Sequence, residues 1–293
     1  MSKQPNNGFE IPTRFKRVVV LHVIKNFLRQ ENFRVPLLLG IHGPTGEGKT
    51  FQCEQVLNEM AAKSFLISGG QLESHKAGEP AELVRTRYLD ASRSIEKGES
   101  KIAVVMINDV DTGLGNWGEM VQYTVNRQTV FGELMHLVDY PTSVEGRATR
   151  RIPIILTGND FTKLYEPLVR AGRMTPFEWL PTIEEKASIV SSIFPEINID
   201  QCKRLIKELE GAAAKFASGT SLPVAAYSHL RGILSDEHIW SEIQKVGVQE
   251  TVDLISRGLQ PKMELVVRFE DLVESGKALI QSGQLINHLR RIK

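Results

Sequence analysis

Eight consecutive residues constrain this chain more than any others: Gly43-Pro44-Thr45-Gly46-Glu47-Gly48-Lys49-Thr50. They fit the pattern GxxxxGK[ST] in full, directly after the apolar run Leu37 to Ile41 and directly before a helical pattern from Lys49 to about Ala61. A strand that runs into such a loop, with a helix starting inside it, makes a phosphate cradle. The glycines let backbone N–H groups turn inward and the helix N-terminus adds the positive end of its dipole, while Lys49 reaches the β- and γ-phosphates and Thr50 ligates a metal. ATP and Mg2+ are the expected cofactors, held by Gly43, Pro44, Thr45, Gly46, Glu47, Gly48, Lys49 and Thr50. The plainer alternative is a glycine turn carrying a solvated lysine.

The strand-then-helix texture repeats downstream. Apolar runs Phe65 to Ser68, Ile102 to Ile107 and Ile152 to Thr157 alternate with helical patterns from Glu79 to about Lys97 and from about Val121 to Val138, and Phe177 to Leu180 offers a fifth strand. That alternation predicts an α/β domain with a parallel sheet. Ahead of it, Phe15, Val18, Leu21, Ile24, Phe27 and Leu28 recur at threes and fours, which predicts an amphipathic helix with Thr13 as N-cap. After Pro181 strand-like runs nearly stop. Thr182 with Glu185 forms a capping box, Asp200 is placed to cap a helix from Cys202 to Ala217, and Pro223 opens a helix through about Lys245. Two more helical stretches follow. We divide the chain into an N-terminal helix plus an α/β nucleotide-binding domain over 1–181 and an all-helical domain over 182–293.

Composition narrows the class. With 36 basic and 35 acidic side chains the formal charge is +1, which argues against a nucleic-acid partner. The longest apolar runs, Val18 to Leu21 and Pro36 to Ile41, fall far short of the roughly 20 residues that cross a bilayer, so no membrane is expected. Cys53 and Cys202 lie far apart with no CxxC pair, and the polar start Met1 to Glu10 resembles neither a signal nor a transit peptide. A reducing, cytoplasmic setting follows.

A phosphate loop of this kind needs an acidic strand end beside it to hold metal and polarise water. Ile107-Asn108-Asp109-Val110-Asp111 supplies one and resembles the I-D-E-I-D run of the AAA+ ATPases, with Asn108 in the first acidic slot and Asp109 in the second. Asp109 is the candidate base and, with Thr50, the candidate metal ligand. Asn108 brings an acceptor but no charge and Asp is a methylene shorter than Glu, so turnover of the order of one per second or less is expected. Thr157-Gly158-Asn159-Asp160 resembles the family's sensor 1, with Asn159 orienting water. Leu168 to Arg173 resembles its arginine-finger segment, which implies that Arg170 and Arg173 reach a neighbouring subunit's nucleotide. His229-Leu230-Arg231 resembles a sensor 2 helix, which implies that Arg231 contacts phosphate from a helical lid. The fold class is thus read as an AAA+ P-loop NTPase core followed by an all-helical lid.

Several segments match something narrower. Phe51-Gln52-Cys53-Glu54, Leu72-Glu73-Ser74, Ala77-Gly78-Glu79-Pro80, Gln122-Tyr123-Thr124-Val125-Asn126 and Pro153-Ile154-Ile155 running into Thr157 to Phe161 resemble the Rubisco activases of the green-type lineage, from about Phe15 to Phe177 and more weakly to about Asp236. The resemblance implies a homo-oligomeric, hexameric ring whose pore engages the Rubisco large subunit and frees sites blocked by inhibitory sugar phosphates. It also implies a cyanobacterial-type cytoplasm, in association with carboxysomes, or a chloroplast stroma. The loops Ser68 to Pro80 and Asp111 to Met120 would face the pore and present Leu72, Leu114 and Trp117, and a third loop carries Arg147, Arg150 and Arg151. A nucleic-acid-loading AAA+ switch and a small-molecule P-loop kinase are the competing readings. The first would need a basic groove, and the second no arginine from a neighbour.

Overall fold

The structure, a computed structural model, describes residues 9–28, 35–74, 76–114, 124–215, 221–259 and 267–285. The chain divides into two compact units, one spanning Ile11–Leu180 and the other Pro181 onward together with the residues up to Glu10.

The first unit runs α1 (Thr13–Phe27), β1 (Leu38–His42), α2 (Lys49–Glu59), β2 (Lys63–Ser68), α3 (Glu79–Glu96), β3 (Ala103–Asn108), α4 (Val110–Leu114), α5 (Thr124–Asp139), a small hairpin of β4 (Ser143–Val144) and β5 (Arg147–Ala148), β6 (Ile154–Thr157), α6 (Glu166–Val169) and β7 (Met174–Glu178). Five strands form one sheet in the order β2-β3-β6-β1-β7. All four pairings are parallel. Each neighbour pair therefore needs a crossover, and the helices that make the crossovers bury the sheet's faces. The three inner strands are apolar almost throughout, whereas β2 and β7 at the edges mix buried with exposed positions. That is why the inner strands read as continuous runs and β7 read weakly.

Register brings the carboxyl ends of the inner strands level: Ile41 lies beside Thr157, and Ile107 beside Leu156. The loop after β1, the acidic turn after β3 and the polar turn after β6 consequently meet at one edge of the sheet, where ligands of open parallel sheets bind.

Local details depart from the sequence reading. Thr13 is the first helical residue of α1, preceded by Pro12 and with no side-chain cap. Leu72, which closes a 3-10 turn over Gly69–Leu72, is 1% exposed, and Leu114, which closes α4, is 0% exposed. Both belong to the core and neither is offered to a pore; glycines flanking them made short helical turns read as open loops. Trp117 lies outside the described residues. In the third loop Arg151 is an anchor, its Nε donating to Asn26 Oδ1 at 2.8 Å and its Nη2 to the Val35 carbonyl at 2.6 Å, while Arg147 and Arg150 are exposed. Fully buried Tyr88 pins the base of that loop. Its hydroxyl donates to the Pro141 carbonyl at 2.7 Å and accepts from the Ile152 N–H at 3.1 Å, and burial pushes the phenol up to about 12.

The second unit is helical: α7 (Ile183–Ile193), α8 (Ile199–Ala214), α9 (Val224–Val246), α10 (Val248–Ser256) and α11 (Phe269–Gln281). Thr182 and Glu185 close the expected capping box. The next helix is capped by Asn198 with Gln201, not by Asp200, which sits in the first turn where its charge suits the dipole. Cys202, Leu205, Ile206 and Leu209 give α8 its apolar stripe. Buried Lys186 ties three segments together, donating to Glu210 at 3.1 Å, Ser221 Oγ at 3.0 Å and the Leu222 carbonyl at 2.9 Å. Among the described residues no helix is long and apolar enough to cross a membrane.

Candidate functional site

The loop after β1 is shaped by two glycines whose conformations other residues rarely take. Gly43 has φ +140°, and a Cβ there would lie 2.4 Å from the Trp179 carbonyl; Gly48, at φ +72°, is the left-handed residue from which α2 starts. Lys49 is the first residue of that helix and is 7% exposed. Its Nζ donates to the carbonyls of Gly43 at 2.7 Å and Pro44 at 2.8 Å, and to Asn159 Oδ1 at 3.1 Å. The structure thus joins the loop lysine to the residue predicted as sensor. Burial draws the Lys49 ammonium below its ordinary pKa, against the pull of Asp109, Asp111 and Glu47. An anion brought to the loop would restore it.

Thr157, buried at the tip of β6, was missed as a site residue. Its Oγ1 donates to Asn108 Oδ1 at 3.3 Å, lies 3.2 Å from Thr50 Oγ1 and accepts from the Asp109 N–H at 3.4 Å. A hydroxyl has one proton, and Thr157 spends it on Asn108; the Thr50 proton must then point to Thr157. With its proton on Thr157, Thr50 Oγ1 keeps its lone pairs for a metal. The order of the strands in the sheet, rather than any spacing in the sequence, creates this relay.

The two aspartates after β3 separate sharply. Asp109 takes the left-handed φ of +50°, its carbonyl accepting from Thr112, and its side chain is exposed. Asp and Asn tolerate that conformation better than most residues, and strained backbone of this kind gathers at functional sites. Asp111 is 1% exposed, and its Oδ2 accepts from the backbone N–H groups of Asn159 at 2.9 Å and Asp160 at 3.0 Å. It holds the turn that aims Asn159 at Lys49. Asp109→Asn should therefore leave stability within about 0.5 kcal/mol and ATP bound, with turnover down about a hundredfold. Asp111→Asn should lose charge-assisted bonds worth about 1.5–3 kcal/mol each, visible in urea unfolding. The reverse pattern would exchange the two roles.

Among the described residues no group of three or more His, Cys, Asp or Glu is gathered to hold a metal. One hydroxyl, one carboxylate and a nearby amide oxygen are hard donors of the kind Mg2+ takes while it keeps waters and phosphate oxygens for the rest, so Thr50, Asp109 and Asn108 fit it.

The arginines are less uniformly placed. Arg173 is clamped within its own chain, its guanidinium donating to the Pro167 carbonyl at 2.9 Å and to Asp139 at 3.2 Å. Arg170 is exposed and has no side-chain partner among the described residues. In the helical unit Arg231 makes a two-pronged pair with Glu196 at 2.8 and 2.9 Å over the Phe194 ring, and that bond holds the Glu196 carboxyl below its usual range.

Residues 39–182 match the model of the "ATPase family associated with various cellular activities (AAA)". The ribulose bisphosphate carboxylase/oxygenase activase of a Nostoc species is 42% identical over 95% of this chain and 66% of its own length. That of an Anabaena species is 38% identical over 97% of the chain and 70% of its own length. Chloroplastic activase 1 of Nicotiana tabacum is 36% identical over 97% and 64%. The chain spans about two thirds of the length of these relatives. On this shared sequence and the AAA architecture that carries it, the chain belongs to the ribulose bisphosphate carboxylase/oxygenase activase family.

Proposed function

We propose that the chain is an ATP-hydrolysing remodelling factor that reactivates Rubisco by loosening sites blocked with inhibitory sugar phosphates. What supports the ATPase half is the convergence at Lys49, which joins the phosphate loop to the sensor position. Identity to activases over almost the whole chain supports the target. The loop amides and Lys49 hold the phosphates, and Thr50 and Asp109 hold Mg2+, which when bound neutralises charge developing on the phosphate oxygens. Asp109 accepts the proton of the attacking water and Asn159 orients that water. Asn108, held by Thr157, adds an acceptor without charge, in keeping with slow turnover. Arg231 remains a phosphate candidate on its resemblance to sensor 2; within the helical unit its guanidinium already grips one two-pronged anion, Glu196.

The same reading makes the working particle a homo-oligomeric ring, a hexamer, in a soluble compartment such as the cyanobacterial cytoplasm or the stroma, and it acts on the large subunit. Rubisco blocked with a tight-binding sugar bisphosphate tests it. Carboxylation should recover with ATP and not with a non-hydrolysable analogue, across dilute and concentrated enzyme. Intact ATPase without recovery on cognate Rubisco would remove the target and leave the ATPase.

A further inference from the structure

We propose that Trp179 is a positioning residue of the nucleotide site, whose indole N–H fixes the crest of the phosphate loop so that a backbone amide faces the phosphates. The inference rests on ATP being bound at residues 43–50. Trp179 lies immediately past the end of β7 and 130 positions after Lys49, yet it is fully buried against the loop. It touches the loop in three places. Its indole Nε1 donates to the Glu47 carbonyl at 2.9 Å, its backbone N–H donates to the His42 carbonyl at 2.7 Å, and its carbonyl occupies the space a side chain on Gly43 would need.

The bond to Glu47 carries the consequence. In a planar trans peptide the C=O and the following N–H point in opposite directions. Drawing the Glu47 carbonyl toward Trp179 therefore turns the Gly48 N–H the other way, into the cradle that anion-binding loops form from successive amides. Gln52, 3% exposed, donates Nε2 to the same carbonyl at 3.1 Å and to that of Gly48 at 3.3 Å, and so holds the crest from the helix side. Gly48 is free to rotate about its own φ and needs such outside support.

Trp179 also sits in an aromatic cluster. The Phe15 ring meets it edge-on at 5.0 Å between centroids, and the Arg14 guanidinium lies 4.8 Å above it while donating to the Leu180 carbonyl at 2.8 Å. The first turn of α1 thereby packs on the ring without touching the Glu47 carbonyl bond itself.

Trp179→Phe keeps an aromatic ring and removes the N–H. ATP and ADP should each bind about tenfold more weakly, while turnover at saturating ATP stays within about twofold. Phe15→Leu is the control for packing: it weakens the aromatic cluster with the N–H bond intact, and should bind ATP within about twofold of the parent at a comparable loss of thermal stability. Equal weakening in both variants, or undiminished affinity in Trp179→Phe, would overturn the proposal.

A second measurement needs no change at position 179. If the bond favours ATP tenfold, ATP must favour the bond by the same factor. Exchange of the Trp179 indole proton with solvent should slow by about tenfold at saturating ATP, the resonance being the one that remains when Trp117→Phe and Trp240→Phe remove the others. Unchanged exchange would overturn the proposal. A parent chain that binds no ATP would sink the ATPase reading and this inference with it, whereas parent binding with Trp179→Phe unaffected removes this inference alone.

Discussion

Replacing Lys49 with Ala should leave a folded chain whose ATP hydrolysis is reduced by a thousandfold or more. The ammonium is a fixed cation that the structure places inside the loop, in contact with two loop carbonyls and Asn159. Without it, the charge that develops on the transferring phosphoryl group loses the cation held within the loop, and electrostatic positioning is most of what a protein contributes to this chemistry. The fold should survive because burial already opposes the charged form of Lys49, so its removal takes away a group the interior holds reluctantly. Phosphate release, ATP binding and urea unfolding on the same preparation check the three parts. Normal turnover by Lys49→Ala would place the chemistry elsewhere.

The second large effect concerns the arginines. A finger that stabilises the transition state from a neighbouring subunit is worth about 10³ or more in rate. Sequence gives Arg170 and Arg173 equal claim to that role, but the structure does not treat them alike. Arg173 would have to leave the Pro167 carbonyl and Asp139, whereas exposed Arg170 has no such ties among the described residues. Arg170→Ala should therefore bind ATP like the parent and hydrolyse it about a thousandfold more slowly. Arg173→Ala should lose stability by about 1–2 kcal/mol and show a smaller catalytic loss. Mixing inactive Arg170→Ala with inactive Lys49→Ala chains should restore part of the activity, since some interfaces then pair an intact loop with an intact finger. No rescue in verified mixed assemblies would assign Arg170 a role within its own chain, and wild-type rates in Arg170→Ala with loss in Arg173→Ala would reverse the assignment.

What could be read in advance was whatever depends on local pattern. The phosphate loop, the inner strands and the capping box at Thr182 are each written in a few adjacent residues, and each forms as read. Asn198 with Gln201 carries the same signature as Thr182 with Glu185, and its capping role was legible too, had the shorter spacing from Asp200 not drawn attention. Thr157 and Trp179 were illegible for a different reason. A threonine at a strand tip and a tryptophan two residues before a proline carry no marker of what they touch; only the strand order β3-β6-β1-β7 brings them beside Asn108, Thr50 and Glu47. Leu72 and Leu114 failed in the opposite sense, because glycine neighbours signal a loop even where one short helical turn folds the leucine back into the core.

The aromatic cluster around Trp179 also bears on how the protein can be cut for study. The AAA match begins at residue 39, past α1, and invites a fragment starting there. Such a fragment would lose Arg14, Phe15, Val19 and Val23, the last three fully buried, and would lay bare the rings of Phe177 and Trp179 that Arg14 and Phe15 cover. Exposed aromatic surface of that kind drives self-association. A soluble preparation of the catalytic core must begin before residue 13, and poor yield from a shorter one would reflect a stripped fold rather than an unstable enzyme.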